Sequence, residues 1–287
     1  MKFEQEIKFN GKLSIIRKLL YLLKNYLYWK SKNFLSKRKL YRDINFIRES
    51  YNKSRKNVDP KDLSIEEFIF GQNYLTKKKN ILFQNEIYLD LYYKPTLFRY
   101  LRLNDFIKKE LNNSDTVIDI GCGWGSATLF LAKLNPDINF IGIDLSKDSI
   151  NLAKIGKKKY GIDNLEFYEH NLLNEVKLKS KFNLAYSINV LEQLDNHLEE
   201  VLNNILNLNT KNIILYEPDQ YLMKNNLVGK ISRLRSLKLN KLQNLFPTIK
   251  KVLLVHSEYK LESAQNLDIA VNPFNSSSEI ILKNLKF

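Results

Sequence analysis

Cysteine is almost missing from this 287-residue chain, which has one, Cys122. A lone cysteine excludes an internal disulfide framework and suits a reducing compartment, so a cytoplasmic protein is expected. Histidine is nearly as scarce, with three in the chain. One cysteine and three histidines leave no cluster with metal-ligand spacing, and no metal is expected. No apolar run approaches the ~18 residues that a membrane-crossing helix needs. A secretory leader is not expected either. Glu4 and Glu6 stand where a positive segment belongs, and lysines interrupt the apolar stretch behind them. What the chain does have is apolar bulk, 44% hydrophobic and 12% aromatic residues, enough to bury a core. Its length allows one large domain, or one catalytic domain with an appendage.

Positive charge is abundant but uneven. Residues 1–56 hold 16 Lys and Arg against 4 Asp and Glu, a balance of +12 out of the +15 of the whole chain. Such asymmetry points to an anionic partner, or to the drift of a chain rich in Lys, Asn and Ile. From Lys12 to about Tyr41 the pattern is helical. Ile15, Ile16, Leu19, Leu20, Leu22, Leu23, Tyr26 and Leu27 share about half the circumference, with Arg17, Lys24 and Tyr28 opposite. A basic amphipathic helix of this kind can lie on an anionic membrane. The expectation here is different: the stripe of Ile15, Leu19, Leu22 and Tyr26 packs on the rest of the chain and helps roof a pocket.

Pro60 and its polar neighbours place a linker at residues 52–64, and Ser64 with Glu67 resembles a capping box. The run Lys77, Lys78 and Lys79 is read as a solvated turn. Tyr92-Tyr93-Lys94-Pro95 breaks regular structure, and a helix from Thr96 to Leu111 follows, with Leu97, Leu101, Phe106 and Leu111 as core positions. After Asn113, short apolar runs alternate with helical patterns, the signature of a parallel sheet covered on both faces. Strands are expected at Thr116–Ile120, Asn139–Asp144, Leu165–Glu169, Phe182–Asn189, Asn212–Glu217, Lys251–His256 and near Glu279–Lys283. Helices are expected at Ser126–Leu134, Lys147–Tyr160 and Asp195–Leu208. A doubly wound sheet of this type places its ligand at the carboxyl ends of the strands.

The segment Val117-Ile118-Asp119-Ile120-Gly121-Cys122-Gly123-Trp124-Gly125 follows a strand and opens a helix, the context that a nucleotide loop requires. Gly121 and Gly123, lacking a Cβ, let the backbone turn sharply and approach a ligand. The spacing is G-x-G-x-G rather than that of a dinucleotide loop. Asp119 would repel a pyrophosphate and suit the cationic amine of an amino-acid ligand. The segment resembles the first motif of class I S-adenosylmethionine (SAM) dependent methyltransferases, and the order of elements is similar over roughly residues 90–287. The resemblance implies that Asp119, Gly121, Cys122, Gly123 and Gly125 line the methionine end of SAM.

Asp144 closes Phe140-Ile141-Gly142-Ile143-Asp144-Leu145-Ser146, 23 residues after Gly121. A carboxylate there can accept both ribose hydroxyls, or it can cap the following helix. In Glu169-His170-Asn171-Leu172-Leu173, Asn171 stands where family members usually have the aspartate that meets the adenine amine; its amide carbonyl can still accept. The fourth strand ends in Asn189-Val190-Leu191-Glu192-Gln193, where many small-molecule methyltransferases have Leu-Glu-His. Gln193 removes that histidine, leaving Glu192 and, one turn on, His197 as catalytic candidates. No Asn-Pro-Pro-Tyr type motif is present, which disfavours exocyclic amino methylation of bases. The Glu217-Pro218 pair is read as shaping a pocket rim. The Gly-Cys-Gly-Trp-Gly wording is also similar to the loop of cyclopropane fatty acid synthases, which points towards lipid acceptors.

Together these readings imply an α/β chain with a Rossmann-like, doubly wound, mostly parallel seven-stranded sheet and helices on both faces, behind an α-helical N-terminal region. Residues 1–90 would be a basic cap or partner-contact region, and residues 91–287 the methyltransferase domain. The expected cofactor site is Asp119, Gly121, Cys122, Gly123, Gly125, Asp144, Leu145, Asn171, Leu172 and Asn189, holding SAM and releasing S-adenosylhomocysteine. The expected reaction is methyl transfer to an oxygen or nitrogen of a small molecule or saccharide. The alternatives are RNA or lipid acceptors met through the basic residues 1–56, with peripheral contact to an anionic membrane, or a non-catalytic adaptor that keeps the fold.

Overall fold

The computed structural model of the chain describes residues 8–9, 11–35, 44–55, 62–178, 180–194, 197–219, 221–222, 245–270 and 277–287. Its centre is a seven-stranded sheet in the order β5-β4-β3-β6-β7-β10-β8. The strands are β3 (Thr116–Ile120), β4 (Asn139–Asp144), β5 (Leu165–Glu169), β6 (Leu184–Ile188), β7 (Asn212–Glu217), β8 (Tyr259–Asn266) and β10 (Ser278–Asn284). The first five positions run parallel, and β10 lies antiparallel between β7 and β8. Strands buried on both faces read as continuous apolar runs, and every residue of β7 is buried. Side chains alternate between two cores, with Val117 and Ile214 on one face and Ile118, Ile213 and Leu215 on the other.

On the first face lie α3 (Ile65–Phe70), α4 (Lys94–Glu110), α5 (Ser126–Leu134) and α6 (Lys147–Tyr160); on the second lie α2 (Ile44–Arg55), α7 (Leu198–Leu206) and α8 (Leu245–Leu253). Local chemistry sets several ends. Ser64 and Glu67 form the capping box that opens α3, and Gly161, with φ 59°, closes α6 in the left-handed region. The order reverses between β3 and β6, so a crevice opens at their carboxyl ends.

The N-terminal region contains a sheet as well as helices. Lys78 and Lys79, expected in a turn, open β1 (Lys78–Phe83), which pairs antiparallel with β2 (Glu86–Leu91). Gln84 and Asn85 between them both have positive φ, as a two-residue hairpin turn demands. On its other side β1 pairs with β9 (Ile269–Ala270), from the far end of the chain.

Other boundaries moved. The stretch expected as a strand at Lys251–His256 belongs to α8 and the turn after it. Leu245, Ile249 and Val252 recur at helical spacing and pack beside α7, whereas the apolar run alone suits either structure. The edge strand is β8 instead. Helix α4 starts at Lys94 because Pro95 fits a first helical turn, and its buried face is Leu97, Tyr100, Leu103 and Ile107; Leu101, Phe106 and Leu111 are only partly covered. The linker expected at 52–64 is partly occupied by α2, and residues 56–61 lie outside the described ones, as do 36–41 of the first helix.

That first helix, α1 (Ile15–Leu35), overturns the packing expected of its stripe. Leu22 is buried against Leu82, Ile87 and Ala270, with Tyr26 partly covered, but Ile15 and Leu19 stay in solvent. The reason is orientation. The helix meets the small sheet on the Lys18–Leu22 side, where Lys18 donates to the Asn85 carbonyl and to Glu86 at 2.9 Å.

Candidate functional site

A cavity of about 520 Å³ occupies the crevice above β3, β4 and β6. Its floor is the β3–α5 loop. Gly121 and Cys122 both donate backbone N–H bonds to the Ile143 carbonyl, at 2.8 and 2.9 Å, which ties the loop to the end of β4. Gly123, with φ 57°, has no heavy atom within 4 Å of the place where a Cβ would stand, and it lines the cavity. At Gly121 a Cβ would meet Val190 at 2.4 Å. Trp124 fastens the loop to the N-terminal layer through its Nε1–H, which donates to the Phe68 carbonyl at 3.2 Å.

Two carboxylates border this loop. Asp144 accepts from Gly123 N–H at 2.9 Å and from Ser146 N–H at 2.8 Å. It is not the cap of α6; that role belongs to Ser146, whose hydroxyl accepts from Ser149 N–H. Asp119 is 2% exposed, accepts from the Thr128 hydroxyl at 2.6 Å, and is pushed up to about 7 by burial. The Cys122 thiol is likewise pushed up by burial and by the two carboxylates, which disfavours its thiolate.

The β6 end is shaped by a buried acid. Glu217 accepts from the Ser187 hydroxyl and from the backbone N–H groups of Val190 and Leu191 at 2.9–3.2 Å, and burial raises it to about 7. It holds the turn that brings Asn189 and Val190 to the cavity, with Asn189 at φ 58°, a conformation asparagine tolerates. Glu217 thus acts from beneath the rim rather than on it.

Of the residues expected from the sequence, Asp119, Gly121, Cys122, Gly123, Asp144, Leu145, Asn171, Leu172 and Asn189 line one cavity. Asn171 also accepts from Leu173 N–H at 3.1 Å through its side-chain carbonyl. Gly125 does not line the cavity. At φ 80° it starts α5, and a Cβ there would meet Phe167 at 2.5 Å, so it is kept small by packing. Neither catalytic candidate reaches the cavity either. His197 stands at the start of α7 beside Glu200 at 3.4 Å, and Glu192 lies in the short helical turn Leu191–Gln193.

A cap from the N-terminal region was expected, but the residues of the opposite wall were not foreseen. Ile44, Ile47, Arg48 and Tyr51 reach it from α2, Phe70 from the end of α3, and Tyr92, Tyr93, Arg99 and Tyr100 from the start of α4. Helix α2 is pinned in place by two side-chain bonds, Tyr51 to Gln193 at 3.0 Å and Ser146 to Asn52 at 2.6 Å. The one available signal was the density of aromatics at Phe70, Tyr74, Tyr92 and Tyr93. Among the described residues no group of three or more His, Cys, Asp or Glu is arranged to hold a metal.

A family model for a methyltransferase domain matches residues 111–263, just over half of the chain. The release factor glutamine methyltransferase of Aliivibrio fischeri is 33% identical over 75 residues, 26% of either protein. The carboxy-S-adenosyl-L-methionine synthase of Campylobacter jejuni is 33% identical over 129 residues, 42% of this chain and 53% of that one. The chain therefore spans between a quarter and about half of the length of these curated relatives. The solved magnesium protoporphyrin IX methyltransferase of Synechocystis, with S-adenosylhomocysteine bound, matches 84% of this chain and 100% of its own, with a TM-score of 0.59 at 15% identity, a likeness of fold.

Proposed function

The chain belongs to the methyltransferase-domain family that matches residues 111–263, and from that premise we propose that it binds SAM in this cavity and methylates an oxygen or nitrogen of a small molecule or saccharide. The observation that carries the reading is the joint placement of Gly123, Asp119 and Asp144 around one cavity. The residues fit the cofactor. The open space over Gly123 admits a ligand against bare backbone, and Asp119 is a buried carboxyl that a cationic amine would ionise. In this reading Asp119 meets the amino group of SAM and Asp144 the ribose hydroxyls. Leu145, Asn171 and Leu172 bound the adenine, while Gly121, Cys122 and Asn189 close the methionine end. Gly125 shapes the loop from below.

When bound, SAM supplies a methyl group already activated by its sulfonium, with S-adenosylhomocysteine as product. The chain's own work is then to hold the acceptor in line and to exclude water, which can account for several kcal/mol of the barrier. No proton-transfer role is assigned to His197 or Glu192, since neither lines the cavity. The acceptor wall from α2, α3 and α4 is rich in apolar and aromatic side chains, which favours a small acceptor enclosed between Phe70, Tyr92, Tyr93 and Ile47. Residues 1–90 act as a cap over the domain of residues 91–287. The single cysteine, buried, suits a cytoplasmic setting.

Calorimetry with S-adenosylhomocysteine tests the reading. The wild-type chain is expected to bind it, and Gly123→Val to lose binding by about a hundredfold or more while remaining folded, because the valine methyls occupy the ligand's place. A folded Gly123→Val chain with undiminished affinity would move the cofactor elsewhere.

A further inference from the structure

Helix α1 carries an apolar face that nothing among the described residues covers. Ile15, Ile16, Leu19, Leu20, Leu23 and Leu27 are between 53% and 75% exposed. At 100° per residue they fall within an arc of roughly 140°, a continuous stripe rather than scattered surface leucines. The helix is held by its other side, through Leu22 and Lys18, so the stripe points away from the body of the molecule. Arg17 and Lys24 are exposed on one flank of the stripe, and the sequence of α1 contains no Asp or Glu. No helix among the described residues is long and apolar enough to cross a membrane.

We propose that α1 docks the protein on an anionic lipid bilayer, lying in the interface with Ile15, Ile16, Leu19, Leu20, Leu23 and Leu27 turned into the acyl boundary. Charge selects this occupant. A second copy of the chain would bring the same +12 of residues 1–56 against itself. RNA would be drawn by that charge but has no use for six aliphatic side chains. An anionic bilayer takes both, aliphatic groups below the headgroups and Arg17 and Lys24 among them. The inference stands apart from the acceptor's identity, since its readouts require no turnover.

The test is sedimentation of the full chain with phosphatidylcholine vesicles carrying about 30% phosphatidylglycerol, against vesicles without it. The wild type is expected to pellet with the anionic vesicles only. Leu19→Asp with Leu23→Asp should weaken that binding about a hundredfold or more, since two apolar anchors are lost, with an unchanged melting temperature. Arg17→Gln and Lys24→Gln should each weaken it about fivefold. A polarity-sensitive fluorophore on Leu23→Cys should shift to the blue when anionic vesicles are added. A wild type that stays in the supernatant, or a double aspartate variant that pellets undiminished, overturns the proposal. So does a double variant that melts early, because the face would then be covered within the chain. Binding to a single-stranded RNA in preference to vesicles, or a dimer that the aspartates dissociate, would assign the face to that partner instead.

Discussion

The two walls of the cavity are built in different ways. The wall proposed for the cofactor is made of short loops at the ends of β3 and β4, and most of its side chains come from two segments, Asp119–Ser126 and Asp144–Ser146. The facing wall gathers Ile44 and Tyr51 from α2, Phe70 from α3 and Tyr92, Arg99 and Tyr100 from the β2–α4 junction, positions spread over more than fifty residues. Chemistry that depends on backbone turns is concentrated on the first wall. Shape that depends on packing several elements together is concentrated on the second. Such a division lets one wall keep its ligand while the other changes its own.

The sharpest contrast should come from Gly142→Val. A Cβ at Gly142 would stand 2.6 Å from Phe167 and 2.9 Å from the Cys122 sulfur, so the first wall has no slack. Overpacking there should cost about 3 kcal/mol, and chemical denaturation that gives wild-type stability would show the loop to be softer than its contacts imply.

Next comes pH. Burial holds both Asp119 and Glu217 up to about 7, well above carboxyls in an unfolded chain. Their neutral forms therefore favour the fold, and that stability is present below about pH 4 and lost as pH rises through about 7. The unliganded chain should melt lower at pH 8 than at pH 5, with a loss of unfolding free energy on the order of 1–4 kcal/mol per group. Asp119→Asn should flatten the profile. If the variant and the wild type share one pH profile of melting, the acid is not holding its proton in the fold.

Within the N-terminal layer, Leu22 and Leu19 make an internal control. Leu22→Asp places a charge against Leu82 and Ile87 and should cost about 2–3 kcal/mol, whereas Leu19→Asp should leave the melting temperature alone. Equal effects from the two would mean that α1 sits differently on the small sheet.

The smallest effect is expected at Asp144. Asp144→Ala removes a carboxylate that orders Gly123 and Ser146 and, in the proposed reading, meets the ribose; affinity for S-adenosylhomocysteine should fall about tenfold with the fold intact. Full affinity in that variant would take the ribose away from Asp144.

How much of this was legible in the amino acids follows the same division. Asp119, Gly123 and Asp144 were readable because a strand, a turn and a helix start are all local, and each of the two strand ends carries its carboxylate within a few positions of its turn. The inner parallel strands were readable for a related reason: β3, β6 and β7 are buried almost throughout and read as apolar runs. The edge was harder. The run Lys251–His256 has strand composition, yet its neighbours Leu245 and Ile249 extend the helical face that α7 covers, so packing decided its structure.

The sequence by itself determined the grammar of the parallel half and the position of its ligand loop, because those depend on backbone conformation and on short apolar runs set between helical patterns. Only the tertiary structure decided which faces were covered. It paired β1 with a strand about 190 residues away, left Glu192 and His197 off the cavity wall, brought α2 over it, and left Leu19, Leu20, Leu23 and Leu27 of α1 in solvent. Periodicity says that a helix has an apolar side; what that side meets is set by contacts between segments far apart in the chain.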